Sequence, residues 1–196
     1  MTTTTALLLL DLQKGLCSPD GLLGGPSGLA EQVASRNVLA NAGRALAHAR
    51  EQGHKVFHVR LAFEPGYANR TNRSDRFAKY ENEGTMQVGS TDCEFCGEVA
   101  PVAGEAVFNK GCVSPFPSTG LLGTLHSQRI DRLVLAGVAT NVVVESTARA
   151  AIDRGFAVEV LEDACASFNA EIHEFARDKT LPLFSQVVDV DTYCSS

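Results

Sequence analysis

Short apolar runs of strand length alternate with stretches of helical periodicity along nearly this whole chain, and that alternation admits few architectures. Residues 6–10, Ala-Leu-Leu-Leu-Leu, form an unbroken apolar run closed by Asp11. A run so short and so uniformly apolar suits a strand buried on both faces, as in parallel sheets with helices on either side. Residues 55–60, 106–109, 132–136, 157–161 and 186–190 are further strand-length segments that mix apolar and polar residues, and 132–136 is strongly apolar. Between them Leu29, Val33, Val38, Leu39, Ala42, Leu46 and Ala49 approximate one helical face over 29–52, with Gly53 as the stop. Helices are also predicted over 118–128, 141–154 (stopped by Gly155) and 170–179. The alternation predicts a three-layer α/β domain around a mostly parallel six-stranded sheet.

The 196 residues fit one domain, 1–196, with no internal repeat and no dividing linker. Residues 61–103 are polar, lack clear periodicity and carry Pro65-Gly66, Asn72-Arg73 and Asn82-Glu83-Gly84. So long a loop in a compact domain is expected to be a lid, a binding loop or an oligomer contact.

A net charge of −6 disfavours nucleic acid or an anionic membrane as partner, while leaving a small anionic ligand open through local charge. The run before Asp11 is too short, and lacks the positive leader, for a signal peptide, and no stretch approaches the ~20 apolar residues of a membrane helix. The expected location is the cytoplasm. Six cysteines in that setting are expected to be free thiols. Cys93-x-x-Cys96 has no second metal half-site and no strand-to-helix setting, so it reads as two ordinary cysteines.

Chemistry concentrates at the ends of predicted strands. Asp11 closes the first strand in Leu-Leu-Asp-Leu-Gln, and Lys110 follows the third in Phe-Asn-Lys-Gly. After the fourth comes Gly137-Val138-Ala139-Thr140-Asn141-Val142-Val143-Val144-Glu145-Ser146-Thr147-Ala148-Arg149. Ligands of open parallel sheets bind beyond the carboxyl ends of the strands, so all three converge on one edge. These motifs, in this order, together with Asp163-Ala164-Cys165-Ala166-Ser167, resemble the isochorismatase-like hydrolases over nearly the whole chain, and among them the cysteine hydrolase (amidase) branch.

The resemblance implies a Rossmann-like sheet and a site in which Asp11 is general base or acid and Lys110 is partner to a thiolate and an oxyanion. It also implies a cis peptide at Val138-Ala139, next to backbone amides that hold the oxyanion. In that branch the attacking cysteine stands where this chain has Val143, and an alkyl group has neither lone pair nor ionisable proton. Three explanations stay open. The cysteine was replaced on purpose to trap a ligand, although serine or alanine would disturb less. Alternatively, the chain performs nucleophile-free chemistry, as in vinyl-ether hydrolysis with Asp11 as proton donor. Or it is a retired enzyme that binds a small molecule. Thr147 and Cys112 are expected to pack, not to replace the nucleophile. The leading expectation is a hydrolase of a small amide, carbamoyl or lactam C–N bond by descent, with position 143 altered.

The nicotinamidases of this family hold a metal through an Asp and histidines after the second strand. Here His54 and His58 lie around the strand itself, in His-Val-Arg-Leu-Ala-Phe, so neither a metal nor another cofactor is expected. Arg60, Phe63, Tyr67 and Phe116 are the expected pocket residues, and an arginine there would favour a carboxylate-bearing substrate. Family members commonly form dimers or tetramers, which makes a homo-oligomer the expected assembly.

Overall fold

The structure, a computed structural model, describes residues 3–195. In chain order its elements are β1 (Thr5–Leu10), α1 (Lys14–Cys17), α2 (Leu29–Ser35), α3 (Val38–Glu51), β2 (Lys55–Leu61) and α4 (Asp75–Glu83). There follow β3 (Ala106–Lys110), α5 (Leu121–Ser127), β4 (Arg132–Val138), α6 (Glu145–Ile152), β5 (Ala157–Ala166), α7 (Ala170–Phe175), β6 (Gln186–Val188) and α8 (Val190–Cys194). The strands form one sheet in the order β3-β2-β1-β4-β5-β6, and every pairing is parallel. The chain winds outward from β1 to β3, then returns to β4 on the other side of β1. The point where the winding reverses therefore lies between β1 and β4, where such sheets open a crevice.

Alternation along β1 shows why the sheet needs two covering layers. Leu7 and Leu9 pack to one side with Val33, Val38, Ala42 and Leu46 of α2 and α3, and with Val190 and Tyr193 of α8. Ala6, Leu8 and Leu10 face the other side, with Leu121 and Leu125 of α5 and Val144, Ala148 and Ala151 around α6. Every residue of β1 is buried. Among the described residues no helix is long and apolar enough to cross a membrane.

The structure departs from the sequence expectation in several places: β5 runs on to Ala166, the helix expected over 170–179 gives way to a π turn after Phe175, and α1 and α8 are additional. The helix predicted over 29–52 is two helices, broken at Arg36 and at Asn37, whose φ is 53°. The Arg36 guanidinium leaves the helix line to donate to the carbonyls of Cys165 and Glu162 and to the Glu162 carboxylate. Val33 and Val38 still face the same core, so periodicity alone could not reveal the break. The helix predicted from residue 141 starts instead with a wide π turn, Thr140–Val144. The last strand stops at Val188 because the Asp189 carboxylate caps α8, accepting from the Thr192 N–H at 2.7 Å.

Finally, the stretch 61–103 contains α4 and the 3₁₀ turns Pro65–Tyr67, Thr91–Cys93 and Gly97–Val99. Gln13, wholly buried, ties it to the sheet edge. Its amide donates to the carbonyls of Leu61 and Asp92, both at 2.9 Å, and its oxygen accepts from the Leu61 N–H. Phe77 and Tyr80 are the buried face of α4 and join the core on the α3 side.

Candidate active site

β1 ends at Leu10, and Asp11 turns the chain with a φ of 58° while its N–H still donates to the Val59 carbonyl at 2.8 Å. Lys110 closes β3, two strands away, and its side chain crosses under the edge to reach that carboxylate. Lys110 Nζ lies 2.8 Å from Asp11 Oδ2 and donates to the Cys112 carbonyl at 3.1 Å. Both side chains are buried, at 2% and 5% exposure, so water screens the pair little. Asp11 Oδ1 has no hydrogen-bond partner among the described residues. Burial pushes the Asp11 carboxyl above its ordinary range, and the Lys110 ammonium opposes that without cancelling it.

The other half of the site comes from β4. Gly137 pairs with Leu10 at a φ of 146°, and a Cβ there would stand 2.1 Å from the Leu10 carbonyl oxygen. Only glycine lets β4 run so close to β1 at this point. The next peptide bond, Val138-Ala139, is cis, and the π turn follows directly. That turn is anchored on its far side: Thr140 Oγ1 is 2.8 Å from Nδ1 of the buried His173, and Ser167 Oγ donates to Asn141 Oδ1 at 2.5 Å.

A cavity of ≈ 80 Å³ opens between these halves. Asp11, Lys110, Val138, Ala139 and Val143 all line it, so the structure brings together the five residues expected at the site. Its walls are Leu16, Leu23 and Leu29 after β1, Leu61 of β2, Val113 and Val142. Arg76, Phe77 and Tyr80 of α4, with Phe168 after β5, complete them. Apart from Asp11, Lys110, Arg76, Ser27 and the Tyr80 phenol, the lining is apolar or backbone.

None of the four expected pocket residues lines this cavity. Arg60 is held beneath the long loop, donating to Asn109 Oδ1 and the Cys93 carbonyl, with its guanidinium over the Phe95 ring. Phe63 is fully buried in an aromatic cluster with Tyr67, Phe77 and Tyr80, one layer behind the wall. The Tyr67 hydroxyl shares its single proton between the carbonyls of Tyr80 and Thr85, at 2.8 and 2.7 Å, which fixes the C-terminal end of α4. Phe116 packs on the opposite face of the sheet under the Arg154 guanidinium.

The α4 residues that line the cavity instead, Arg76, Phe77 and Tyr80, lie outside the expected set. The available signal was Ser74-Asp75 before Phe77 and Tyr80 at i, i+3, with Gly84 as the stop. Thr147 and Cys112 are both occupied away from the cavity. The Thr147 hydroxyl donates to the Val143 carbonyl at 2.6 Å, and Cys112 Sγ contacts the Ser114 carbonyl and Ser118 Oγ. His58 faces Glu105 at 2.8 Å and His54 faces the Tyr193 hydroxyl at 2.9 Å, neither of them at the cavity. Among the described residues no group of three His, Cys, Asp or Glu side chains is arranged to hold a metal ion.

A parallel sheet with its crevice at the β1/β4 reversal, a buried carboxylate–ammonium pair and a helix start facing it define an α/β protein with one enclosed acid–base site. Comparison with known proteins agrees. The isochorismatase domain matches residues 5–192, and the chain belongs to that family. It is 33% identical over 195 residues to the isochorismatase family protein YecD of Escherichia coli O157:H7, covering 96% of this chain and 93% of the relative. It is 31% identical over 169 residues to maleamate amidohydrolase of Pseudomonas putida, covering 86% of this chain and 75% of that protein. An isochorismatase-like hydrolase from Alkaliphilus metalliredigens superposes with a TM-score of 0.79 at 25% identity, covering 98% of each chain.

Proposed function

We propose that this isochorismatase-family chain carries the binding site of a hydrolase of small amide, carbamoyl or lactam C–N bonds, with an alkyl group where the attacking thiol belongs. The observation that carries the reading is one cavity shared by the Asp11–Lys110 pair, Val138 and Ala139, and Val143 at the first helical turn. The maleamate amidohydrolase relative, by its name a C–N hydrolase, supports the same class. In this reading a substrate carbonyl lies against residue 143, with its oxygen toward the backbone amides of the Ala139 turn. N–H groups at the start of a helix stabilise negative charge there. A thiol at 143 would pass its proton to Asp11 and attack the carbonyl carbon, and Asp11 would return that proton to the departing amine. The thioester left behind would be hydrolysed to the acid and the free thiol by a water that Asp11 deprotonates. Lys110 holds the Asp11 carboxylate and offers positive charge to thiolate and oxyanion.

Val143 removes the covalent route. Loss of a nucleophile lowers turnover on the order of 10⁶-fold in the best-studied hydrolase case. The chain as it stands binds such compounds and does not turn them over through an acyl intermediate. Installing the missing atom tests this: Val143→Cys should release ammonia from small amides while the parent chain does not.

A second reading is favoured by Asp11 Oδ1, which has no hydrogen-bond partner among the described residues, together with the burial that raises this carboxyl. A protonated acid at that place suits proton donation to a vinyl-ether carbon, with water as the only nucleophile. Turnover of isochorismate by the parent chain, abolished in Asp11→Asn, would select it over the first.

A further inference from the structure

Three charged side chains line the cavity: Asp11, Lys110 and Arg76. The first two neutralise one another at 2.8 Å. Arg76 is different. Among the described residues no carboxylate forms an ion pair with it, whereas Lys79, the other basic residue of α4, is 3.7 Å from Glu83. Its guanidinium carbon stands 5.7 Å from the centre of the Phe168 ring, with the Tyr80 phenol beside it. Arginine keeps its charge at any physiological pH and presents a planar fork that matches a carboxylate with two parallel hydrogen bonds. Stacking on an aromatic face fixes the plane of that fork before any ligand arrives.

The position of Arg76 is as informative as its charge. Leu23, Arg76 and Tyr80 line both the cavity and the shallow depression outside it, which makes these three residues the rim. The cavity measures ≈ 80 Å³. An engineered apolar cavity that admits benzene measures about 150 Å³. The inner space therefore holds a carbonyl with its nitrogen and a carbon or two, and anything longer must emerge past Arg76. A carboxylate could not replace the amide inside, because it would meet the Asp11 carboxylate and walls with few donors. Lys110 already serves Asp11 and the Cys112 carbonyl.

We infer that the ligand is a short acid bearing one amide or carbamoyl group and one carboxylate, and that Arg76 reads the carboxylate at the rim while the C–N group occupies the inner cavity. This rests on the C–N hydrolase reading above and adds to it a specificity-determining residue and a substrate class. The carboxylate preference expected from Arg60 thereby falls to Arg76 of α4, which lines the cavity where Arg60 does not.

Calorimetric titration of the parent chain with succinamate and with succinamide tests it. The two share a skeleton and an amide and differ in one carboxylate. Succinamate should bind at least about tenfold more tightly, as a charge-assisted bidentate contact provides, and the preference should weaken with added salt. In Arg76→Met the ratio of the two affinities should collapse toward one, and Arg76→Lys should keep part of it. Equal affinities in the parent chain, or an undiminished ratio in Arg76→Met, would overturn the role of Arg76 while leaving the C–N reading in place. Binding of neither amide, with isochorismate bound instead, would overturn both.

Discussion

Replacing Lys110 by methionine keeps the length of the side chain and removes its charge, leaving Asp11 alone in a buried site. At the 2.8 Å separation the attraction is about 6 kcal/mol for an effective dielectric constant of 20. Burying each ion opposes that by several kcal/mol, so the intact pair comes close to break-even. Removing one member is not close to break-even, and about 3–5 kcal/mol of stability should be lost at pH 8. The loss must depend on pH in a specified direction. Burial holds the Asp11 carboxyl above 3.8 in the folded protein, and Lys110 works against the rise, so the variant raises it further.

A carboxyl raised in the folded state contributes stability that is complete below its unfolded value and lost as pH climbs through its folded value. The deficit of Lys110→Met against the parent should therefore widen with pH, by at most about 1.4 kcal/mol per unit, and shrink toward acid. Urea denaturation of the two proteins at pH 5, 6, 7 and 8 measures it. Other titrating groups are common to both and cancel in the difference. In Asp11→Asn/Lys110→Met the loss should be well below the sum of the single losses. A deficit that stays constant across that range, or strict additivity, would refute the claim that an ionised Asp11 depends on Lys110.

Gly137→Ala should destabilise the fold by roughly 3 kcal/mol or prevent folding, because the added Cβ meets the Leu10 carbonyl oxygen at 2.1 Å and φ is 146°. Thermal unfolding reads this directly, and an unchanged midpoint would mean β4 can leave β1 freely. For Glu105, burial raises the carboxyl, but the Arg50 fork, the Val102 N–H and His58 together bring it down to about 2. Its contribution is therefore present above pH 4.5 and lost as pH falls through about 2, so Glu105→Gln should remove up to about 3 kcal/mol at pH 7 and flatten the acid limb of the stability curve.

The strands were legible because each is a short apolar run, and a sheet covered on both faces leaves no other place for such runs. The site floor was legible for a related reason: Asp11, Lys110 and Val143 each lie at or beyond the carboxyl end of a strand, and parallel topology carries every strand end to one edge. The pocket wall was not. Periodicity reports that a residue is buried, as Phe63 and Phe116 are, but not which neighbour it meets across the sheet. Arg60 looks like a pocket cation from its place on β2, yet Asn109 and the Cys93 carbonyl hold it elsewhere. Two of the three rim residues, Arg76 and Tyr80, sit on α4, nine residues long with only Phe77 and Tyr80 buried, too brief a pattern to stand out in a polar segment. The kink at Asn37 was hidden because both helices it separates face the same core.

The central claim is that this cavity is a C–N hydrolase site lacking its attacking atom at position 143. Ammonia release from a panel of small amides, ureas and lactams, with isochorismate turnover followed in parallel, measures it most directly in the parent chain and in Val143→Cys. The parent should show no turnover and the cysteine variant measurable amide hydrolysis, lost again in Val143→Cys/Asp11→Asn. Equal amide hydrolysis by parent and variant, or isochorismate turnover by the parent, would contradict it.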